Sequence, residues 1–438
     1  MVKTDTGAGK LNLAEVSAIG IGGMIGGGIF AVLGLAIATA GHAVVLTLAG
    51  GGVIALLTGL SYAHLGLHFR GDGGSFTYIE KAFAAPAIAG CAGWLLVVGY
   101  VGTLALYATA FGDYGATLFS YSGVKLVSAV LIVVVLAAFL AINLRGARTS
   151  GIVELGVVAI KLLILAVFSA AAFVGIKADH FVPLFDHGVA SPLIAVALIF
   201  VAYEGFELIP NAIDEMVDPV RNLRRAIVIS VVLTTIIYIV VAVAALGSLT
   251  TAQIQHDQEY VLAVAARPTL GQAGFVLIGV AALLSTASAI NATLFGASRL
   301  AMVMARERAL PQVFGLQERT RNVPYVALMA LTGLSLAFAL AAPLAAISGF
   351  ASATFLVIFA AVNFSALRLA RKIRLSPLIP LAGGLLATAS LGLLLWYDWN
   401  KDRPSLYLLL AVYGLVVAIE VVLSMRRGRR SPAPSATV

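Results

Sequence analysis

Three ionisable side chains stand where apolar sequence should exclude them. Lys161 lies in Ala159-Ile160-Lys161-Leu162-Leu163, about ten residues into a long hydrophobic segment. A cation at the centre of a spanning helix costs roughly 2.5–3.5 kcal/mol on insertion scales. Lys161 therefore faces a polar interior, pairs with carbonyls or a carboxylate, or gives up its proton. The last option would suit it to proton coupling. Snorkelling to the membrane surface is disfavoured, because ten residues of helix is about 15 Å. Glu204 and Glu207 lie in Val201-Ala202-Tyr203-Glu204-Gly205-Phe206-Glu207-Leu208-Ile209-Pro210-Asn211, where Gly205 and Pro210 interrupt the helical pattern. Three residues apart, the two acids share a helix face. Glu204 can bind a substrate ammonium or carry a proton, and Glu207 can brace an opened backbone by accepting N–H bonds. The plainer reading of both is a carboxylate satisfied by the orphan donors of the break.

The segment that must position these groups begins with Ile19-Gly20-Ile21-Gly22-Gly23-Met24-Ile25-Gly26-Gly27-Gly28-Ile29-Phe30, six glycines in nine residues. Each glycine costs about 1 kcal/mol of helix stability relative to Ala. An opened helix in hydrocarbon survives only where it lines a cavity or is buried in protein, and its freed N–H and C=O groups can then hold solute. This predicts a broken first helix. The competing reading is close helix packing through small residues. Ser285, Thr286, Ser288 and Asn291 form a further polar cluster, read either as a polar wall or as hydroxyls bonded to their own helix. Asp113, Tyr107 and Asn363 are weaker candidates.

The rest of the chain is a hydrophobic scaffold. Of 438 residues 61% are hydrophobic and 11% charged, with a mean hydropathy of +1.03. Repeated apolar runs of spanning length predict an all-α integral membrane protein. Twelve segments are expected, at 13–40, 43–67, 86–119, 125–143, 151–176, 191–216, 226–248, 272–304, 324–341, 344–368, 377–397 and 405–425, or eleven if one of the last pair is interfacial. Most Lys and Arg residues fall in alternate loops and at both ends, including Lys3, Lys10, Arg145, Arg224, Arg308, Arg371 and Arg427. The positive-inside rule then places both termini in the cytoplasm. The net charge of +8 is thus a topology signal, and with no basic soluble domain nucleic acid is excluded as a partner. The single Cys91 rules out an intrachain disulfide framework. Neither metal-ligand spacing nor an enzyme motif is present, so no cofactor, metal or catalytic residue is expected. The longest external loop, about 249–271, is read as either a partial lid or a plain solvated loop.

Interruptions in segments 1 and 6, five helices apart, predict a 5+5 inverted repeat with two broken helices meeting near the midplane. Residues 1–12 form a cytoplasmic N-terminus. The repeats are 13–176 and 191–368, two further helices occupy 377–425, and 426–438 form a disordered cytoplasmic tail.

Four blocks in register carry a resemblance. Gly22, Ile25, Gly26, Gly28, Ile29 and Phe30 match a Gly-x-x-Ile-Gly-x-Gly-Ile-Phe signature. Leu60-Ser61-Tyr62-Ala63 with Gly73 to Tyr78, Phe200 to Asn222, and Asn291 to Pro311 supply the others. Together they resemble the amino acid–polyamine–organocation superfamily, over about residues 13–375. The resemblance implies the leucine-transporter-like fold, alternating access, and a pocket between segments 1 and 6. It implies that amides of Gly23 to Gly28, through Met24, Ile25, Gly26 and Gly27, hold a carboxylate, and that carbonyls before them, at Gly22, and around Ala202, with Tyr203, Glu204 and Gly205, hold an amine. Lys161 matches a fifth-helix Lys of sodium-independent members, contacting the Gly22 region and Ser285 or Ser288. Phe206, Glu207 and Asn291 take bracing or gating roles.

Two positions depart from the family pattern. His64 stands where an acid is common, and Glu204 where a small or apolar residue is usual. The expected activity is sodium-independent, proton-coupled amino acid transport in the cytoplasmic membrane, by a monomer or weak homo-oligomer. The alternative is transport of an amine, polyamine or monovalent cation through Glu204. A receptor or enzyme that binds without moving its ligand stands third.

Overall fold

A computed structural model describes residues 10–71, 73–83, 85–119, 124–146, 151–176, 181–318 and 323–429. Among them the regular elements are helical, apart from one isolated bridge between Leu11 and Met216. The helices are α1 (Leu13–Ala40), α2 (Val44–His68), α3 (Gly74–Phe83), α4 (Pro86–Leu118), α5 (Lys125–Leu144), α6 (Gly151–Val174) and α7 (Ser191–Ile199). They continue as α8 (Pro219–Ser248), α9 (Thr251–His256), α10 (Val261–Arg306), α11 (Tyr325–Ala341), α12 (Leu344–Leu369), α13 (Leu378–Lys401) and α14 (Arg403–Arg429). Among the described residues ten helical runs are long and apolar enough to cross a membrane. The first, Leu13–His68, contains both α1 and α2, and α11 is a shorter apolar helix. Each expected segment thus has a helical counterpart, and the chain is an all-α, multi-pass membrane protein.

Which side chains lie outside fits a lipid solvent. Leu126 of α5, Leu163 of α6 and Leu415 of α14 are 73%, 65% and 59% exposed, tolerable where hydrocarbon rather than water surrounds them. Most of α1 and α12, and the first half of segment 6, are buried. These inner elements hold the candidate residues.

Segment 6 is broken as expected. α7 ends at Ile199, and a tight 3-10 turn covers Phe200–Tyr203. Glu204 is extended at φ −62°, ψ 140°, and Gly205 takes φ 130°. A second 3-10 stretch, Phe206–Glu215, carries Pro210 inside it. The large positive φ at Gly205 belongs to a region that side chains with a Cβ rarely enter.

Segment 1 corrects the expectation. α1 is helical without interruption from Leu13 to Ala40, opened by a capping box in which Asn12 Oδ1 accepts from Ala14 and Glu15 N–H and Glu15 Oε2 accepts from Asn12 N–H. Its glycines serve close approach. A Cβ at Gly23 would stand 2.9 Å from the Cα of Gly205, and one at Gly28 2.8 Å from the Cα of Ala202. The small-residue face lets an intact α1 seat directly on the broken backbone of segment 6.

Three other boundaries move. The expected loop at 249–271 is largely helical, holding α9 and the first turns of α10, which kinks at Gly271 (φ 61°). Gln258 packs its backbone against Gly34 of α1, so this region covers that end of the helix. α14 continues to Arg429, past the expected start of the tail, because its helix does not end at the first arginines. The remaining tail, 430–438, and residues 1–9 lie outside the described residues. At the opposite end of α1, Leu11 N–H donates to Glu215 O at 2.7 Å and Val217 N–H to Leu11 O at 2.9 Å.

Candidate functional site

The break in segment 6 leaves backbone groups that hydrocarbon cannot satisfy, and neighbouring helices supply their partners. Leu198 O accepts from Ser348 Oγ at 2.8 Å and from Ser352 Oγ at 3.0 Å, both on α12. Ser352 Oγ in turn accepts from Val201 N–H at 2.9 Å. One hydroxyl therefore donates to one side of the opened turn and accepts from the other. On the α1 side, the Tyr238 hydroxyl of α8 lies 2.6 Å from Met24 O and 2.8 Å from Ala202 O, sharing its proton between the two elements. Tyr238→Phe is expected to lower thermal stability in detergent by about 1 kcal/mol. An unchanged unfolding midpoint would show that the hydroxyl does not hold α1 to segment 6.

Both acids of segment 6 are buried, Glu204 at 4% and Glu207 at 3% exposure. Glu204 Oε2 accepts from the Thr103 hydroxyl of α4. Glu207 Oε2 accepts from Gly205 N–H at 2.6 Å, which is the bracing bond expected of it, and its Oε1 has no hydrogen-bond partner among the described residues. Phe206 packs edge-on to Tyr62 at 5.7 Å and against Phe359 at 5.2 Å, so it anchors the break in an aromatic cluster. Tyr203 donates to Leu48 O at 2.5 Å. Tyr107 packs its ring on Gly27, near the C-terminal end of the glycine run.

Lys161 is 2% exposed, and its Nζ has no hydrogen-bond partner among the described residues. Ser285, on α10, is fully buried and likewise unpartnered. Neither Ser285 nor Ser288 hydrogen-bonds the lysine. Ser288 Oγ instead donates to Glu154 Oε2 at 3.4 Å, and Gly22 faces Glu154 and Val158 across the α1–α6 interface. Asn291 Oδ1 accepts from Asn143 Nδ2 of α5 at 2.9 Å. Asp113 accepts from Ser128 at 2.7 Å, and Asn363 bonds Ser61 and Thr58 of α2, both at 2.8 Å, so these weaker candidates tie helices together.

The structure thus brings Gly22 to Gly28, Ala202 to Gly205 and Tyr107 together and sets Lys161 one helix away. It does not present the amides of Gly23 to Gly28 to a ligand, because in this conformation they lie inside α1. Sequence reasoning missed Glu154, Thr103, Tyr238, Ser348 and Ser352. Glu154 had a readable signal, being two helical turns before Lys161 and hence on the same face. The hydroxyls had none, since a lone Ser or Thr in a spanning helix usually bonds its own backbone. No group of three or more His, Cys, Asp or Glu able to hold a metal occurs among the described residues.

Comparison with known proteins gives a consistent outcome. The chain is 32% identical over 414 residues to an uncharacterized protein of Methanocaldococcus jannaschii, covering 94% of this chain and 95% of that one. It is 29% identical over 440 residues to the inner membrane transport protein YbaT of Escherichia coli, covering 98% and 100%. Crystal structures of a manganese transporter from Eremococcus coleocola share the fold, with a TM-score of 0.61 at 13% identity over 94% of this chain and 92% of that one. The sequence profile described as amino acid permease matches residues 11–421, which takes in every helix that builds the site. A broken sixth segment braced by serines of α12 and seated on a glycine-faced first helix is therefore how this chain carries the architecture of the amino acid permease family, to which it belongs.

Proposed function

We propose that this protein is a sodium-independent, proton-coupled transporter of amino acids, working by alternating access in the cytoplasmic membrane with both termini inside. The observation that carries the reading is Lys161, a buried ammonium group without a hydrogen-bond partner among the described residues, on the helix that faces Gly22 and the polar stretch of α10. Its charge would stand where a sodium-coupled carrier holds its ion. Protonation would favour one packing of α6 against α1 and α10, and loss of the proton the other. Glu154, on the same helix face and bonded to Ser288, is positioned as its counter-charge. The family membership and the pairing of segments 1 and 6 support an amino acid substrate and the inverted-repeat reading. With α1 intact in this conformation, substrate entry requires the Gly22–Gly28 turns to open, and the six glycines lower that cost.

A second reading has its own observation. Glu204 is a buried carboxylate at the break, held by Thr103, and an amine or organic cation could neutralise it in place of an amino acid. Uptake into proteoliposomes under an inward proton gradient, without sodium, separates the readings. Accumulation of α-amino acids supports the first, accumulation only of carboxylate-free cations the second, and flux of neither sinks transport. Glu204→Gln is expected to shift preference away from cationic toward neutral amino acids. Unaltered preference would reduce Glu204 to a structural partner of Thr103.

A further inference from the structure

A cavity lies on the α7 side of the segment 6 break, where α12, α13 and α14 meet α1 and the end of α7. Its internal space is about 80 Å³, and Leu35 and Leu198 form part of its apolar wall. That is well below the roughly 300–1,000 Å³ of a drug-sized ligand site and suits only a small ligand. Its polar side is Tyr397, Asp398, Asp402 and Ser405. The two carboxylates stand one helical turn apart at the junction of α13 and α14.

Asp402 is committed locally, since its Oδ2 accepts from Ser405 Oγ at 2.6 Å and its Oδ1 from Ser405 N–H at 3.4 Å. Asp398 is not. Its residue is 6% exposed, its side chain lines the cavity, and it forms neither a hydrogen bond nor an ion pair among the described residues. The neighbouring cations do not answer it. Arg403 donates to Trp399 O at 3.2 Å and lies 5.4 Å from the centre of the Trp399 ring, and Lys401 is exposed. A carboxylate that lines a half-open cavity and has no protein donor among the described residues is left to water or to a ligand. A cationic ligand supplies the donor together with the opposite charge.

We propose that this cavity is a binding site for a primary ammonium group carried on a short apolar stem. The ammonium bridges Asp398 and Asp402, supplying charge-assisted bonds to both. The stem runs along Leu35 and Leu198. A hard divalent cation fits poorly, because it seeks six or more oxygen ligands and this wall is largely apolar. A soluble alkylamine and the headgroup of an aminophospholipid share this chemistry. The site is separate from the one that carries the transport reading and stands whether or not that reading holds.

The test uses the full-length chain purified in detergent and stripped of lipid, with thermal unfolding as readout and hexylammonium, hexanol and hexanoate as probes. Hexylammonium is expected to raise the unfolding midpoint saturably, with hexanol and hexanoate inactive. Asp398→Asn should weaken hexylammonium binding about tenfold or more, the loss of roughly one charge-assisted bond, and leave proton-driven uptake unchanged. Glu204→Gln should keep the hexylammonium response, which separates this cavity from the segment 6 break. If Asp398→Asn does not fold, Ala346→Phe, which fills the cavity without touching either acid, should abolish the response. Nanodiscs of phosphatidylethanolamine against phosphatidylglycerol identify the source. An Asp398-dependent stabilisation by phosphatidylethanolamine assigns the site to a lipid headgroup, and a response to hexylammonium alone assigns it to a soluble amine. Equal responses to hexanol and hexylammonium, retention of the response in both variants, or no response to either amine source overturns the proposal.

Discussion

Lys161→Met is expected to abolish proton-driven accumulation of substrate while raising the thermal stability of the protein. The two effects come from one cause. Lys161 Nζ makes neither a hydrogen bond nor an ion pair among the described residues, and Glu154 stands two helical turns away. An apolar side chain of similar volume therefore removes an insertion cost of roughly 2.5–3.5 kcal/mol and loses little direct pairing. The same charge is what would make the packing of α6 against α1 depend on a proton. Its removal should leave exchange or passive flux and eliminate dependence on the pH gradient. The measurement is paired, with unfolding midpoints in detergent beside initial uptake rates at several external pH values. Undiminished pH-driven uptake would remove Lys161 from the coupling step. A large loss of stability would mean that the ammonium has a structural partner in the working protein.

Gly205→Val is expected to have the opposite signature, a protein that fails to assemble. Gly205 sits at φ 130°, and a Cβ there would lie 2.7 Å from Met24 N and 2.9 Å from Gly23 Cα, both backbone atoms that cannot yield as a flexible side chain does. Backbone strain of this kind costs about 1–3 kcal/mol and overpacking a further 1–3 kcal/mol. Gly205→Ala and Gly23→Ala should be milder in the same order. Gly156→Ala and Gly392→Ala, where no atom of the described residues lies within 4 Å of the added carbon, are controls expected to fold and transport normally. Yield of monodisperse protein and uptake read the series. If Gly205→Val transports like the controls, α1 and segment 6 are not in contact at this point.

The contrast between segments 1 and 6 shows where sequence reasoning reaches. The break at Gly205 was legible because several signals agreed there, namely a glycine, a proline five residues on and two acids in apolar surroundings. The Gly22–Gly28 run was ambiguous, since the same composition serves an opened helix and a closely packed one. What decided was the partner, the backbone of Ala202 and Gly205, which is remote in sequence. Lys161, Glu204 and Glu207 were legible because charge in hydrocarbon needs a reason. Glu154 was not singled out, because an acid near a helix start is ordinary, and its bond to Ser288 is a tertiary fact. The helical first turns of α10 were obscured by Pro268 and Gly271, which punctuate sequence in the manner of a loop; Gly271, at φ 61° and ψ −155°, is where two helices meet across a kink within α10.

The bridge between Leu11 and the end of segment 6 has a mechanical consequence. Those two backbone bonds lie beside exposed Lys10 and Glu215, so water can replace each partner as it leaves. The bonds made by Tyr238 and Ser352 deeper in the molecule have no such substitute. Parting α1 from segment 6 is therefore cheap at the rim and expensive in the interior, and the path of least resistance is a pivot rather than a separation. A zip that unfastens from one end while its middle stays pinned would let solvent reach the glycine run from that side alone, without the bilayer ever meeting an open channel.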